Sequence, residues 1–170
     1  MNIFKRFITI LVVLFLFVPS SYGEDKIVYL DLDNVVTNTN AGKSILDQLE
    51  KSKKSALLRF EKKEKKLKII EDEIKKQKNI ISEEELRKKL LEFRKELSNF
   101  RQEKQKVINE FNQKKKVEFD QFFKKITPII EKYVSEKNID IVLDRKKVFV
   151  ASKKKDITKE IIKIINTNLK

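Results

Sequence analysis

The stretch "KNIISEEELRK", residues 78–88, decides the fold of this chain. It lies midway through a long helix-prone run, which either continues as a rod or turns back there. Ser82 followed by Glu85 is an S-x-x-E capping box: the hydroxyl accepts from the N–H three positions on, and the carboxylate reaches back. Glu83 and Glu84 place negative charge in the first turn, where the free N–H groups carry partial positive charge. Asn79 can end the preceding helix. These residues predict a turn near 79–82 with Ser82 and Glu85 as its cap.

The apolar pattern on either side agrees. From Leu46 a step of three and four residues passes through Leu49, Ala56, Phe60, Leu67, Ile70, Ile74 and Ile81, interrupted by Lys53, Lys63 and Gln77. That is a coiled-coil-like seam weakened by polar residues. Carried past Ile81, the same grid meets Glu84, Lys88, Leu91, Lys95 and Ser98, of which only Leu91 is apolar. A second seam instead runs through Leu86, Leu90, Phe93, Leu97, Phe100, Val107 and Phe111. Loss of phase at the turn predicts two antiparallel helices, about 43–79 and 83–137, with Leu67 opposite Leu97 and Ile74 opposite Leu90. The second ends in a wider apolar face, Phe119 to Val134, suited to burial in a body, and Pro128 is expected to kink it there.

Composition supports elongated helices. Charged residues make up 39% of the 170, with only two glycines and two prolines. A compact domain of this size needs more turn-formers. The first residues, "MNIFKRFITILVVLFLFVPSSYG", place Lys5 and Arg6 before an apolar run from Phe7 to Val18, then Pro19 and small residues. That order is a secretory signal peptide, with cleavage expected between Gly23 and Glu24. The apolar run is too short to span a bilayer, at about 18 Å. Loss of Lys5 and Arg6 takes the formal net charge from +14 to +12, which favours polyanions or acidic surfaces as partners.

Both chain ends read as strands. "KIVYLDLDNVV", residues 26–36, alternates, with Ile27, Val28, Tyr29 and Leu30 at its centre and Asp31 and Asp33 as strand-end and turn residues. "TNTNAGKS", 37–44, then supplies polar turn and capping residues. Near the C-terminus Ile139, Ile141 and Leu143 alternate as a second strand. Val148 to Ala151, with Val150 inside it, reads as a third, joined by a turn at Asp144–Lys147. Asp156 is placed to cap a last amphipathic helix carrying Ile157, Ile161, Ile162, Ile164 and Ile165. The organisation expected is a leader at 1–23, body at 24–42, helical hairpin at 43–137 and body again at 138–170. The fold class is α+β: a long antiparallel helical hairpin projecting from a small oligomeric β-body. Three short strands bury too little to stand alone, so self-association is expected, its number left open.

Nothing in the sequence points to catalysis. With no His and no Cys, Ser-His-Asp, Cys-His and the common zinc sites are excluded, and no phosphate-cradling glycine loop is present. No cofactor or metal site is expected. "DLDNVV", 31–36, has the D-x-D start of haloacid-dehalogenase phosphatases but none of their further loops. Specific nucleic-acid motifs are missing, and the basic residues are interspersed with glutamates along helices.

The two ends together resemble the Skp/OmpH family of periplasmic chaperones over essentially all of 26–168. "KIVYLDLDNVVTNTNAGKSILDQLE" is similar to the family's opening strand, linker and helix start. "NIDIVLDRKKVFVASKKKDIT" and "KEIIKIIN" are similar to its closing strand pair and final helix. The resemblance implies a homotrimer with three helical arms around a cavity. It implies ATP-independent holding of unfolded outer-membrane β-barrel proteins in the periplasm of a Gram-negative bacterium. It also offers lipopolysaccharide or an anionic membrane surface as a ligand, without a motif that maps residue by residue. Apolar arm residues off the seams, Leu58, Ile69, Ile80, Ile81 and Leu91, are the candidate client contacts; their other fate is burial in a broad seam. The alternative functions are a structural coiled-coil spacer of the cell envelope and a basic polyanion-binding protein.

Overall fold

Strand β1, Ile27–Leu30, pairs in parallel with β2, Ile141–Asp144, so that Ile27 lies beside Ile141 and Leu30 beside Asp144. Between them run helices α1, Leu32–Asn38, α2, Asn40–Gln77, and α3, Glu83–Glu136; α4, Thr158–Asn168, closes the chain. The structure is a computed structural model and describes residues 25–169. The expected leader and the Gly23–Glu24 junction lie outside the described residues.

The opening strand is shorter than its alternation suggests. Asp31 ends it by accepting from the Asn34 N–H at 2.9 Å, and Val35 N–H donates to the Asp31 carbonyl at 2.9 Å, which starts α1. Val35 and Val36, read as strand residues, are buried on α1. A cap and tertiary burial override β-branched propensity here. Thr39, wholly buried, ends α1 and begins α2: its N–H donates to the Val35 carbonyl and its Oγ1 accepts from the Gly42 N–H at 3.2 Å. Gly42 is required at this joint, since a Cβ there would come within 2.8 Å of the Val36 carbonyl carbon.

At the other end two expected strand positions are corrected. Val148 and Val150 are not in a strand. The segment instead makes 3-10 turns at Arg145–Lys147 and Lys153–Lys155, capped by Asp144 and Ser152. The Arg145 guanidinium donates to the Val148 carbonyl at 2.6 Å. Phe149 is 98% exposed and Val150 80%, so β-propensity finds no surface to bury against. Ile139 is also outside β2. Its N–H donates to the Val134 carbonyl and that of Asn138 to Ser135, with Asn138 at φ 48°, the Schellman ending of α3. Asp156 accepts from the Thr158 N–H at 2.9 Å, although Ile157 occupies the N-cap position of α4.

The two ends are stitched together. Ile157 N–H donates to the Tyr29 carbonyl, Asp140 N–H to the Lys26 carbonyl, and Asp31 N–H to Thr158 Oγ1. Val28 and Leu30 of β1, Val35 and Val36 of α1, Phe122 and Ile126 of α3, and Ile161 and Ile165 of α4 form one buried core. It lies at the body end of α3, where the sequence places its widest apolar face.

Away from the body, α2 and α3 lie against each other and run in opposite directions. They span 38 and 54 residues, about 57 and 81 Å. Gln77 meets Lys89 near the turn, and Glu64 meets Lys104 farther down. Phe60, Leu67 and Phe100 are buried between the helices with Ala56, Phe93, Leu97 and Val107 around them. Most seam positions read from the sequence are buried or half-buried; Leu90 is exposed. The helix α3 continues through Pro128 to Glu136.

Candidate functional site

The turn between α2 and α3 is closed by its own backbone: the N–H groups of Ile80 and Ile81 both donate to the Gln77 carbonyl. Ser82 Oγ then accepts from the Glu85 N–H at 3.3 Å and starts α3. With the backbone occupied in this way, Ile80 points to solvent, 81% exposed, and Ile81 is half-buried.

Leu58, Ile69 and Leu91 are exposed and belong to neither apolar cluster. They stand off the 3-4 grid that turns the seam inward, so the two-helix contact cannot reach them. Leu58 and Ile69 share one stripe of α2, three turns apart. The structure therefore leaves four of the five candidate residues open and does not gather them into one pocket.

Electrostatics stitch the outer arm. Lys63 pairs with Glu103, which Arg59 also approaches at 3.4 Å, and Lys104 meets Glu64 at 3.1 Å. Lys104 also lies 5.8 and 5.9 Å from the Phe60 and Phe100 rings, which meet edge-to-face at 6.0 Å. The hydrogen bond from Lys63 holds the Glu103 carboxyl below its ordinary value. Along α2, Lys65 does the same for Glu61, Lys75 for Glu71 and Lys68 for Asp72. Burial and then the Glu160 charge push the Tyr133 hydroxyl up.

Between this polar stitching and the body lies a gap in the packing of the two helices. Ala56, Leu57 and Phe60 of α2 face Val107, Ile108 and Phe111 of α3 across a half-open apolar cleft of about 400 Å³. Lys53 and Lys114 stand on its rim. The sequence carries a signal for it that the seam reading treated only as weakness: Lys53 and the small Ala56 occupy consecutive seam positions, so the groove between the helices is underfilled.

The body presents a second apolar surface. Val28 and Leu30 face the core, so the alternate residues Ile27, Ile141 and Leu143 share the other face of the sheet and are exposed. Only Tyr29 on that face is covered, with the Arg145 guanidinium 5.5 Å from its ring. Lys146 pairs with Asp33 at 2.7 Å, and the Asp33 hydrogen bond raises its ammonium above its ordinary value. Among the described residues no cluster of three or more acidic or other metal-ligating side chains is placed to hold an ion. None of the described helices is long and apolar enough to cross a membrane.

The sequence profile of OmpH, described as outer membrane protein (OmpH-like), matches residues 26–165. A solved structure from Caulobacter crescentus CB15, that of a candidate outer membrane chaperone (OmpH-like), superposes with a TM-score of 0.76. Its sequence is 13% identical, and the match covers 86% of this chain and 87% of that one. No curated protein matches. At such low identity the structural likeness speaks for the fold, and the profile match, spanning most of the chain, for the family. The chain belongs to the OmpH family.

Proposed function

We propose that this protein is an ATP-independent holdase of the periplasm, exported by its N-terminal leader, that keeps unfolded outer-membrane β-barrel proteins from aggregating. Family membership supports the class, and the named relative from Caulobacter supports the same reading. The observation that carries it is the arm itself. Two long helices turn back at 78–82 and keep Leu58, Ile69, Ile80 and Leu91 uncovered among lysines. Scattered apolar contacts in a basic field suit a chain that is unfolded, partly apolar and acidic, and weak contacts let it leave again. A two-strand sheet whose outer face exposes Ile27, Ile141 and Leu143, together with an exposed Phe149, supports assembly of several copies, a homotrimer by the family pattern.

The test is suppression of light scattering when a urea-unfolded barrel protein is diluted into buffer with a near-stoichiometric amount of assembled protein. Suppression without nucleotide is expected, together with a trimer mass by light scattering. Unchanged aggregation would overturn the holdase reading. A rod-like dimer or monomer would overturn the cage and favour an envelope spacer.

A further inference from the structure

We infer that the cleft between Ala56–Phe60 and Val107–Phe111 is a docking site for an extended peptide segment in which an apolar side chain is flanked by carboxylates. The inference rests on the holdase reading and names the client chemistry that one part of the arm selects.

The charge distribution carries the argument. Next to the cleft on its outer side, Arg59, Lys63 and Lys104 each meet a carboxylate within 4 Å. The lysines of the cleft segments do not. Residues 51–57 carry Lys51, Lys53 and Lys54, and residues 111–117 carry Lys114, Lys115 and Lys116, with no acidic residue in either run. None of these six makes an ion pair among the described residues. Glu110 is the one carboxylate lining the cleft. An apolar floor lined by two lysines without ion pairs, Lys53 on one helix and Lys114 on the other, is complementary to an apolar group that brings negative charge with it.

Shape separates the two kinds of occupant with that chemistry. An acyl chain with an anionic head needs enclosure, since small-molecule sites bury most of their ligand. This cleft is open along one side, and Leu57 and Ile108 on its lips are themselves exposed. Such a groove accepts side chains from a backbone that passes outside it. Its volume of about 400 Å³ is ample for one bulky side chain and its neighbour. Lys53 on α2 and Lys114 on α3 are then placed for carboxylates on either side of the anchor.

The experiment uses the purified assembled protein and three fluorescent peptides of equal length, alternating Val with Asp, Val with Lys, and Ser with Asp. The Val–Asp peptide is expected to bind at least about tenfold more tightly than either of the others, and to weaken with added salt. Leu57→Asp with Ile108→Asp, and separately Lys53→Glu with Lys114→Glu, should each reduce that affinity about tenfold. Lys88→Glu with Lys95→Glu, farther out on the arm, should not. All these positions are exposed, and circular dichroism checks that the helices persist. Equal binding of the three peptides, or an unchanged affinity in the cleft variants, overturns the inference. So does saturable binding of laurate that Leu57→Asp abolishes while peptide binding is untouched, which would assign the cleft to an amphiphile. Barrel-protein aggregation is measured in parallel. Suppression retained without the peptide preference removes the cleft alone, and suppression absent in the unmodified protein removes the holdase reading as well.

Discussion

The backbone N–H of Asp31 donates to Oγ1 of Thr158 at 3.0 Å, so a side chain near the end of the chain satisfies the residue that ends the first strand. Both ends of the protein thus belong to one small body, and the arm is an excursion from it. Thr158 is buried, and its loss would deprive the part-buried Asp31 N–H of its acceptor. Thr158→Val is expected to destabilise the body by about 1–3 kcal/mol, and Thr158→Ser by less. Urea unfolding at one fixed protein concentration measures both, because assembly adds to apparent stability.

Gly42 sits where α2 leaves α1, and the obstacle to a side chain there is backbone, which cannot rotate away. Gly42→Ala should cost about 1–3 kcal/mol although alanine is the better helix former. If the variant were as stable as the parent, the close approach of Val36 to this position would be wrong.

Asn138 adopts a left-handed conformation at the end of α3, with φ 48°. Asn138→Gly should be neutral or slightly stabilising, whereas Asn138→Val should lose about 1–2 kcal/mol, since a β-branched residue is strained there. Thermal unfolding of the pair gives the sign directly.

At the arm tip Ser82→Ala removes the acceptor for the Glu85 N–H. About 1 kcal/mol of local stability should go. Amide exchange at residues 83–86 is expected to quicken while exchange in the core around Ile126 and Ile161 stays as it was. A uniform change across the protein would contradict an arm that frays independently of the body.

Acid should loosen the arm before the body. Lysine hydrogen bonds hold the carboxyls of Glu61, Glu71, Asp72 and Glu103 below their ordinary values in the folded protein. A depressed folded value means the unfolded chain binds protons first. The stabilisation is therefore present above the ordinary carboxylate range and is lost as pH falls through the depressed folded values. Surface pairs contribute little singly, so the expected signal is a gradual loss of helical circular dichroism at low pH, reduced by salt. Glu103→Gln should flatten part of that dependence.

Sequence alone determined the arm. Its seams at Phe60, Leu67 and Phe100, the phase break after Ile81 and the Ser82 cap are local signals of helical period and helix ends, and such signals depend on near neighbours only. Strands at both chain ends were also legible from the alternating apolar residues at 27–30 and 141–143, but their parallel pairing with each other was not. What only the tertiary structure decided is where propensity yields to burial. Val35 and Val36 read as strand residues but became helical because Asp31 capped the chain and the core accepted that face. Val148 to Ala151 read as a strand but found no surface within the chain, and its backbone groups were claimed by turns at Asp144 and Ser152. The mid-arm cleft escaped the sequence for a related reason: a polar and a small residue on one seam create space only if nothing on the facing helix fills it.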